Sequence, residues 1–181
     1  IDGAAAAYTF ASGMAALDAT LRLLEPGSCI LVTEDPYGGT VRLLDHICKK
    51  AGVTPIYLDT SNTELVRQTA QSTDIAAILV EMPTNPLLRV ADIYALSEIA
   101  HQQEALLIVD NTFLTPYFFR PLDYGADIVI YSATKYLSGH NDVVAGSVSV
   151  KEAALGEKIA FIQNAAGAIL GPMDAWLVLR G

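Results

Sequence analysis

The sequence predicts an α/β fold, a mostly parallel sheet flanked by helices, and three observations carry that reading. Short apolar runs alternate with longer stretches of helical periodicity along the chain, the pattern of strands joined by crossover helices. Those runs are near-continuous in apolar residues rather than alternating, as in strands buried on both faces. No internal repeat, low-complexity tract or Pro/Gly-rich linker divides the 181 residues, so one domain is expected.

Taken in order, a helix is expected at 13–24, opening on Ala11-Ser12-Gly13-Met14-Ala15-Ala16 with Ser12 suited to the N-cap. The run Cys29-Ile30-Leu31-Val32-Thr33 gives a strand at 29–33, and a helix follows at 40–51. Further strands are expected at 54–58, 75–80, 105–109 and 127–131, with helices at 63–71 and 93–103. Right-handed crossovers would put the C-terminal ends of these strands on one edge of the sheet. Open α/β sheets bind their ligands outside that edge.

Composition narrows the function classes. Hydrophobic residues make up 52% of the chain and mean hydropathy is +0.36, ample for a core and against disorder. Only 17% of residues are charged, which fits strands buried on both faces or surface covered by further chain or subunits. The formal net charge is −9 and the 11 Lys and Arg are scattered, against nucleic acid as a partner. The one adjacent pair, Lys49–Lys50, reads as a solvated helix end. No apolar run approaches the roughly 18 residues of a membrane span. The opening Ile1-Asp2-Gly3 has no initiator Met and no basic n-region, so it reads as mid-protein without a signal peptide. Cys29 and Cys48 are expected as buried free thiols in a reducing, cytoplasmic setting. His46, His101 and His140 have no zinc-motif spacing, and no metal site is expected.

The strand ends carry the chemistry. The run 127–131 is followed by Ser132-Ala133-Thr134-Lys135. Enclosure disfavours the charged form of an amine, and a neutral lysine amine is the nucleophile that forms a Schiff base with an aldehyde. The Ser132 and Thr134 hydroxyls could donate to a phosphate. A surface lysine after a strand, with Ser and Thr capping the next helix, is the simpler reading of the tetrapeptide taken alone. Asp110 ends the run 105–109, and an acid there needs a cationic or hydrogen-bonding partner. A pyridinium nitrogen, a helix N-terminus and a magnesium ion all remain open as that partner. Gly13 and Met14 open a helix whose free amides could hold a phosphate, although an ordinary capped helix reads the same. Tyr37, on the turn Pro36-Tyr37-Gly38-Gly39-Thr40, could stack on a planar ligand. Asn85, held between Thr84 and Pro86, could orient a ligand oxygen. Neither G-x-G-x-x-G after a strand nor G-x-x-x-x-G-K-[ST] is present, which removes the dinucleotide and P-loop readings.

With these residues assembled, the chain resembles the Cys/Met-metabolism family of pyridoxal-phosphate (PLP) enzymes over essentially its whole length. The matching stretches are Ala11-Ser12-Gly13-Met14-Ala15-Ala16, Pro36-Tyr37-Gly38-Gly39-Thr40 and Pro83-Thr84-Asn85-Pro86-Leu87-Leu88. They continue with Val109-Asp110-Asn111-Thr112-Phe113, Ser132-Ala133-Thr134-Lys135-Tyr136 and Gly139-His140-Asn141-Asp142-Val143-Val144-Ala145-Gly146. The resemblance implies a fold-type I, aspartate-aminotransferase-like large domain with pyridoxal 5'-phosphate as cofactor. It implies that Lys135 carries the cofactor as an internal aldimine and then takes the substrate's α-proton. Asp110 would pair with the pyridinium nitrogen and Tyr37 would stack on the ring and assist departure of the leaving group. The Gly13 and Met14 amides, with the Ser132 and Thr134 hydroxyls, would hold the phosphate. Asn85 would lie near the phenolic oxygen and the substrate carboxylate.

The implied activity is carbon–sulfur cleavage on a small sulfur amino acid in trans-sulfuration, of the cystathionine β- or γ-lyase type. Cystathionine γ-synthase, a γ-replacement on an O-acylhomoserine, is the alternative, and a non-catalytic α/β ligand-binding module is the alternative from another class. Gly39 departs from the methionine γ-lyase pattern, which carries Cys there. The run from Phe161-Ile162-Gln163-Asn164 to Ile169-Leu170-Gly171-Pro172 resembles bacterial cystathionine lyases and synthases. Family members are roughly twice this length and are homotetramers, dimers of dimers. The resemblance therefore implies that residues 1–181 are a fragment, the PLP-binding large domain without its N-terminal arm and C-terminal domain, and inactive alone.

Overall fold

The structure, a computed structural model, describes residues 1–181. In chain order it comprises β1 (Ala6–Phe10), α1 (Gly13–Leu21), β2 (Cys29–Thr33), α2 (Gly38–His46), β3 (Thr54–Leu58), α3 (Thr63–Ser72) and β4 (Ile75–Glu81). It continues with α4 (Ile93–Gln102), β5 (Leu106–Asp110), α5 (Thr115–Phe118), β6 (Ile128–Tyr131), β7 (Gly146–Val150), α6 (Ala153–Ala166) and α7 (Pro172–Arg180). One seven-stranded sheet runs β1-β7-β6-β5-β4-β2-β3. The five strands expected from apolar runs, β2 to β6, lie within one residue of their expected bounds and pair parallel throughout. Antiparallel β7 and β1 complete one edge, and neither was anticipated.

Two helix bounds moved for local reasons. The helix expected at 40–51 ends as α2 at His46, because Ile47 leaves helical geometry at φ −115° and a separate 3-10 turn follows at Cys48–Ala51. Gly52, at φ 89°, ends that turn in the left-handed region, where a Cβ would be strained. The first helix, expected to reach residue 24, stops at Leu21. Its Ser12 cap is as expected, with Oγ accepting from the Ala15 amide at 3.0 Å.

Side chains alternate across the sheet, so each strand feeds two cores. On one face Leu31, Ile78, Val80, Leu107 and Val109 pack with Val66 of α3 and Leu96 and Ile99 of α4. On the other Ile30, Val32, Leu79, Ile108 and Ile130 pack with Leu17 of α1, Leu44 of α2 and Ile159 of α6. Of the two cysteines, Cys48 is buried as expected while Cys29 is only half-buried.

A polar latch closes the antiparallel edge. Asp2 is 8% exposed and accepts from the Tyr131 hydroxyl at 2.5 Å and the Ser149 hydroxyl at 2.7 Å. The Tyr131 oxygen in turn accepts from Asn111 Nδ2 at 3.2 Å. Burial, reinforced by the Asp2 acceptor, pushes the Tyr131 phenol up and keeps it a donor. Elsewhere apolar groups are left open: Tyr117 and Phe118 in α5 are exposed, and α7 buries none of its residues. No helix is long and apolar enough to cross a membrane.

Candidate functional site

Four parallel strands end side by side and point their following loops into one cavity of about 290 Å³. All eight residues singled out from the sequence line it: Gly13, Met14, Tyr37, Asn85, Asp110, Ser132, Thr134 and Lys135. No group of His, Cys, Asp or Glu is arranged to hold a metal ion.

The wall that would face a phosphate is built by close approach. A Cβ on Gly13 would lie 2.7 Å from the Ser132 Cβ, and one on Gly146 would lie 2.1 Å from the Ser12 carbonyl oxygen. Side chains at those positions would push the N-terminus of α1 off β6 and β7, so the two glycines let its amides and the Ser132 hydroxyl share one small space. The two hydroxyls differ. Ser132 Oγ makes no hydrogen bond, whereas Thr134 Oγ1 donates to Ala145 O at 3.1 Å and accepts from Ala145 N at 3.0 Å.

Asp110 forms the floor. Thr112 donates to Asp110 Oδ1 twice, from its amide at 3.0 Å and its hydroxyl at 2.5 Å, while Oδ2 has no partner. Burial pushes the Asp110 carboxyl up, against the lowering by both Thr112 bonds. An unpartnered oxygen on an acid enclosed by protein fits a cationic N–H donor, as a protonated pyridine would supply. The Thr112 hydroxyl also accepts from Ser132 N at 2.8 Å, tying the floor to the phosphate wall. Across the cavity Lys135 is exposed, so the enclosure expected for its amine is not made by these residues.

Tyr37 caps α2 without a side-chain bond, and its ring is 47% exposed. Gly39 makes room for that ring: a Cβ there would lie 2.3 Å from Tyr37 Cε1 and 2.9 Å from Met14 Sδ. Met82–Pro83 and Asn85–Pro86, which frame Asn85, are both cis peptides.

Two cavity residues escaped the sequence reading. Thr112 stood inside the Asp110-Asn111-Thr112-Phe113 string without a role of its own. Glu81, the last residue of β4, pairs in register with Asp110 of β5. Glu81 Oε2 accepts from Tyr37 N at 2.6 Å and Oε1 from Asn85 N at 2.9 Å. Burial, then the facing carboxylates of Asp110 and Asp35, push it up to about 7 against the pull of those two amides. Its signal in the sequence was an acid ending one apolar run beside another that ends the same way.

A sequence profile of the Cys/Met metabolism PLP-dependent enzymes matches residues 1–181. The chain belongs to that family. It is 46% identical over 181 residues to the cystathionine gamma-lyase of Bacillus subtilis (strain 168), covering 100% of this chain and 48% of that protein. It is 48% identical to that organism's cystathionine gamma-synthase/O-acetylhomoserine (thiol)-lyase, again over all of this chain and 48% of the relative. Among solved structures, cystathionine gamma-lyase from Lactobacillus plantarum complexed with L-serine superposes with a TM-score of 0.96 at 46% identity, covering 99% of this chain and 47% of that one. The chain thus spans about half the length of the relatives it matches. The family's cofactor is pyridoxal 5'-phosphate, and the mixed seven-stranded sheet is the fold-type I arrangement of these neighbours.

Proposed function

We propose that residues 1–181 are the cofactor-binding large domain of a carbon–sulfur lyase acting on cystathionine or a close sulfur amino acid. The observation that carries this reading is the meeting of Lys135, the unpartnered Oδ2 of Asp110 and the glycine-lined start of α1 in one cavity. When bound, pyridoxal phosphate supplies the electron sink that stabilises negative charge at the substrate's α-carbon. Asp110 Oδ2 accepts from its ring nitrogen and keeps the ring cationic. The Gly13 and Met14 amides and the Ser132 and Thr134 hydroxyls would hold the phosphate, Thr134 being the one whose hydroxyl is paired with Ala145 in this structure. Tyr37 covers the ring, and Asn85 orients the phenolic oxygen and the substrate carboxylate. Lys135 Nζ would hold the cofactor at its aldehyde carbon and, as a free amine, would serve as general base toward the substrate's α-proton. With sulfur on the β-carbon, elimination releases a thiol and one water then hydrolyses the remaining imine to pyruvate and ammonia.

The alternative is the γ-replacement of a cystathionine γ-synthase, favoured by the 48% identity to the Bacillus subtilis synthase/thiol-lyase. The methionine γ-lyase pattern fits less well, since Gly39 stands where that pattern carries Cys. Further expectations of this reading are a cytoplasmic location and a homotetramer, checked by fractionation and by light scattering on the full-length protein.

The test begins with the full-length protein and added pyridoxal phosphate. A visible Schiff-base absorbance band is expected, and Lys135→Ala is expected to lose it along with turnover. No band in the parent protein would leave an α/β ligand-binding module as the reading. Incubation with cystathionine then separates pyruvate from 2-oxobutyrate, while O-acylhomoserine with cysteine tests for the synthase.

A further inference from the structure

Tyr37 and Asn85 reach the cavity from different loops, one between β2 and α2 and the other between β4 and α4. Neither side chain is held by a hydrogen bond, and Tyr37 caps its helix without one. Their positions therefore depend on where their backbones are held. Both backbones are held by one side chain: Glu81, whose two oxygens each take one amide, Tyr37 N at 2.6 Å and Asn85 N at 2.9 Å. Glu81 is itself fixed, because β4 pairs it with Asp110 and its own amide points to Thr33 Oγ1 at 3.4 Å. Other ties between the loops, Thr84 Oγ1 donating to Asp35 Oδ2 at 2.9 Å and the Arg89 guanidinium pairing with Glu34, touch neither Tyr37 nor Asn85.

We propose that Glu81 is a positioning residue, a carboxylate clamp that sets the Tyr37 ring and the Asn85 amide relative to each other and to Asp110. The assignment rests on the reading that this cavity holds the cofactor. Two converging N–H donors require two acceptors, which a carboxylate offers and an amide does not. Glutamine would accept from one amide and turn its NH₂ toward the other. The acid is kept although burial and the neighbouring Asp110 and Asp35 push it up to about 7. A group serving stability alone would gain from being neutral here.

The experiment compares full-length parent, Glu81→Gln and Glu81→Asp proteins by visible circular dichroism of the bound cofactor, steady-state kinetics and thermal melting. The Gln variant is expected to keep the Lys135 absorbance band and to melt no lower than the parent. It should also lose visible dichroism and at least about ten-fold in kcat/KM, the rate equivalent of one lost charge-assisted hydrogen bond. Asp, with both acceptors on a shorter stem, is expected to recover more of both readouts than Gln. A parent band with unchanged dichroism and kinetics in Gln overturns the clamp alone. Equal losses in Gln and Asp that track a lowered melting temperature overturn it as well, marking a merely structural acid. Absence of the band in the parent overturns the cofactor reading and the clamp with it.

Discussion

Asp110 and Glu81 end neighbouring parallel strands in register, so two acids share one edge at the spacing of paired strands. Both are pushed up, Glu81 from an ordinary 4.5 to about 7. A carboxyl raised in the folded state binds its proton there before it does in the unfolded chain. Its contribution is therefore fullest below pH 4.5 and is lost as pH rises through about 7. A gap of about 2.5 pH units corresponds to at most about 3.4 kcal/mol. The cofactor-free protein is expected to lose stability to urea between those limits, and Glu81→Gln to flatten the slope. An equal slope in both proteins would assign the loss to other groups. At this scale the sequence was informative about single strand ends and silent about pairs. Asp110 stood out because an acid closes an apolar run, and so does Glu81, but the adjacency of β4 and β5 depends on strand order. Lys135 shows the complementary limit, since its exposure is decided by what surrounds it in space.

At the level of elements, continuous apolar runs identified β2 to β6 because parallel strands here are covered on both faces. The same criterion passes over β1 and β7. Their sequences, Ala6-Ala7-Tyr8-Thr9-Phe10 and Gly146-Ser147-Val148-Ser149-Val150, alternate with small or polar residues, as antiparallel strands commonly do. Missing β7 also hid the support of the phosphate wall, since α1 sits on Gly146 through contact with Ser12. Gly146→Ala is expected to cost about 1–3 kcal/mol by overpacking against backbone that cannot rotate away. It should also weaken cofactor binding more than Gly167→Ala, whose Cβ would meet nothing within 4 Å although φ is 74°. Urea melts and cofactor titration check both; equal binding in the two variants would detach α1 from the site.

For the whole molecule, exposed apolar groups are spread along the chain, from Leu87, Leu88 and Val90 to Tyr117 and Phe118 of α5, Phe161 of α6 and Leu179 of α7. Low charge content fits strands buried on both faces or surface covered by further chain or subunits, and does not say where such cover would lie. Such groups favour association when left in water. Expressed alone, the 181-residue polypeptide is expected to bind a hydrophobic dye and to elute above its 19.3 kDa mass. A discrete, dye-free monomer would show that these faces need no cover.

The Asp2 latch carries a consequence in time. It joins residue 2 to Tyr131 and Ser149, contacts 129 and 147 residues apart, and the Lys135 wall lies behind the same strands. During synthesis the latch cannot form until Ser149 has been added, roughly 8 to 30 s after residue 1 at about 5–20 residues per second. A cofactor that needs the finished cavity would then meet a sheet already assembled, rather than guide its nascent strands together.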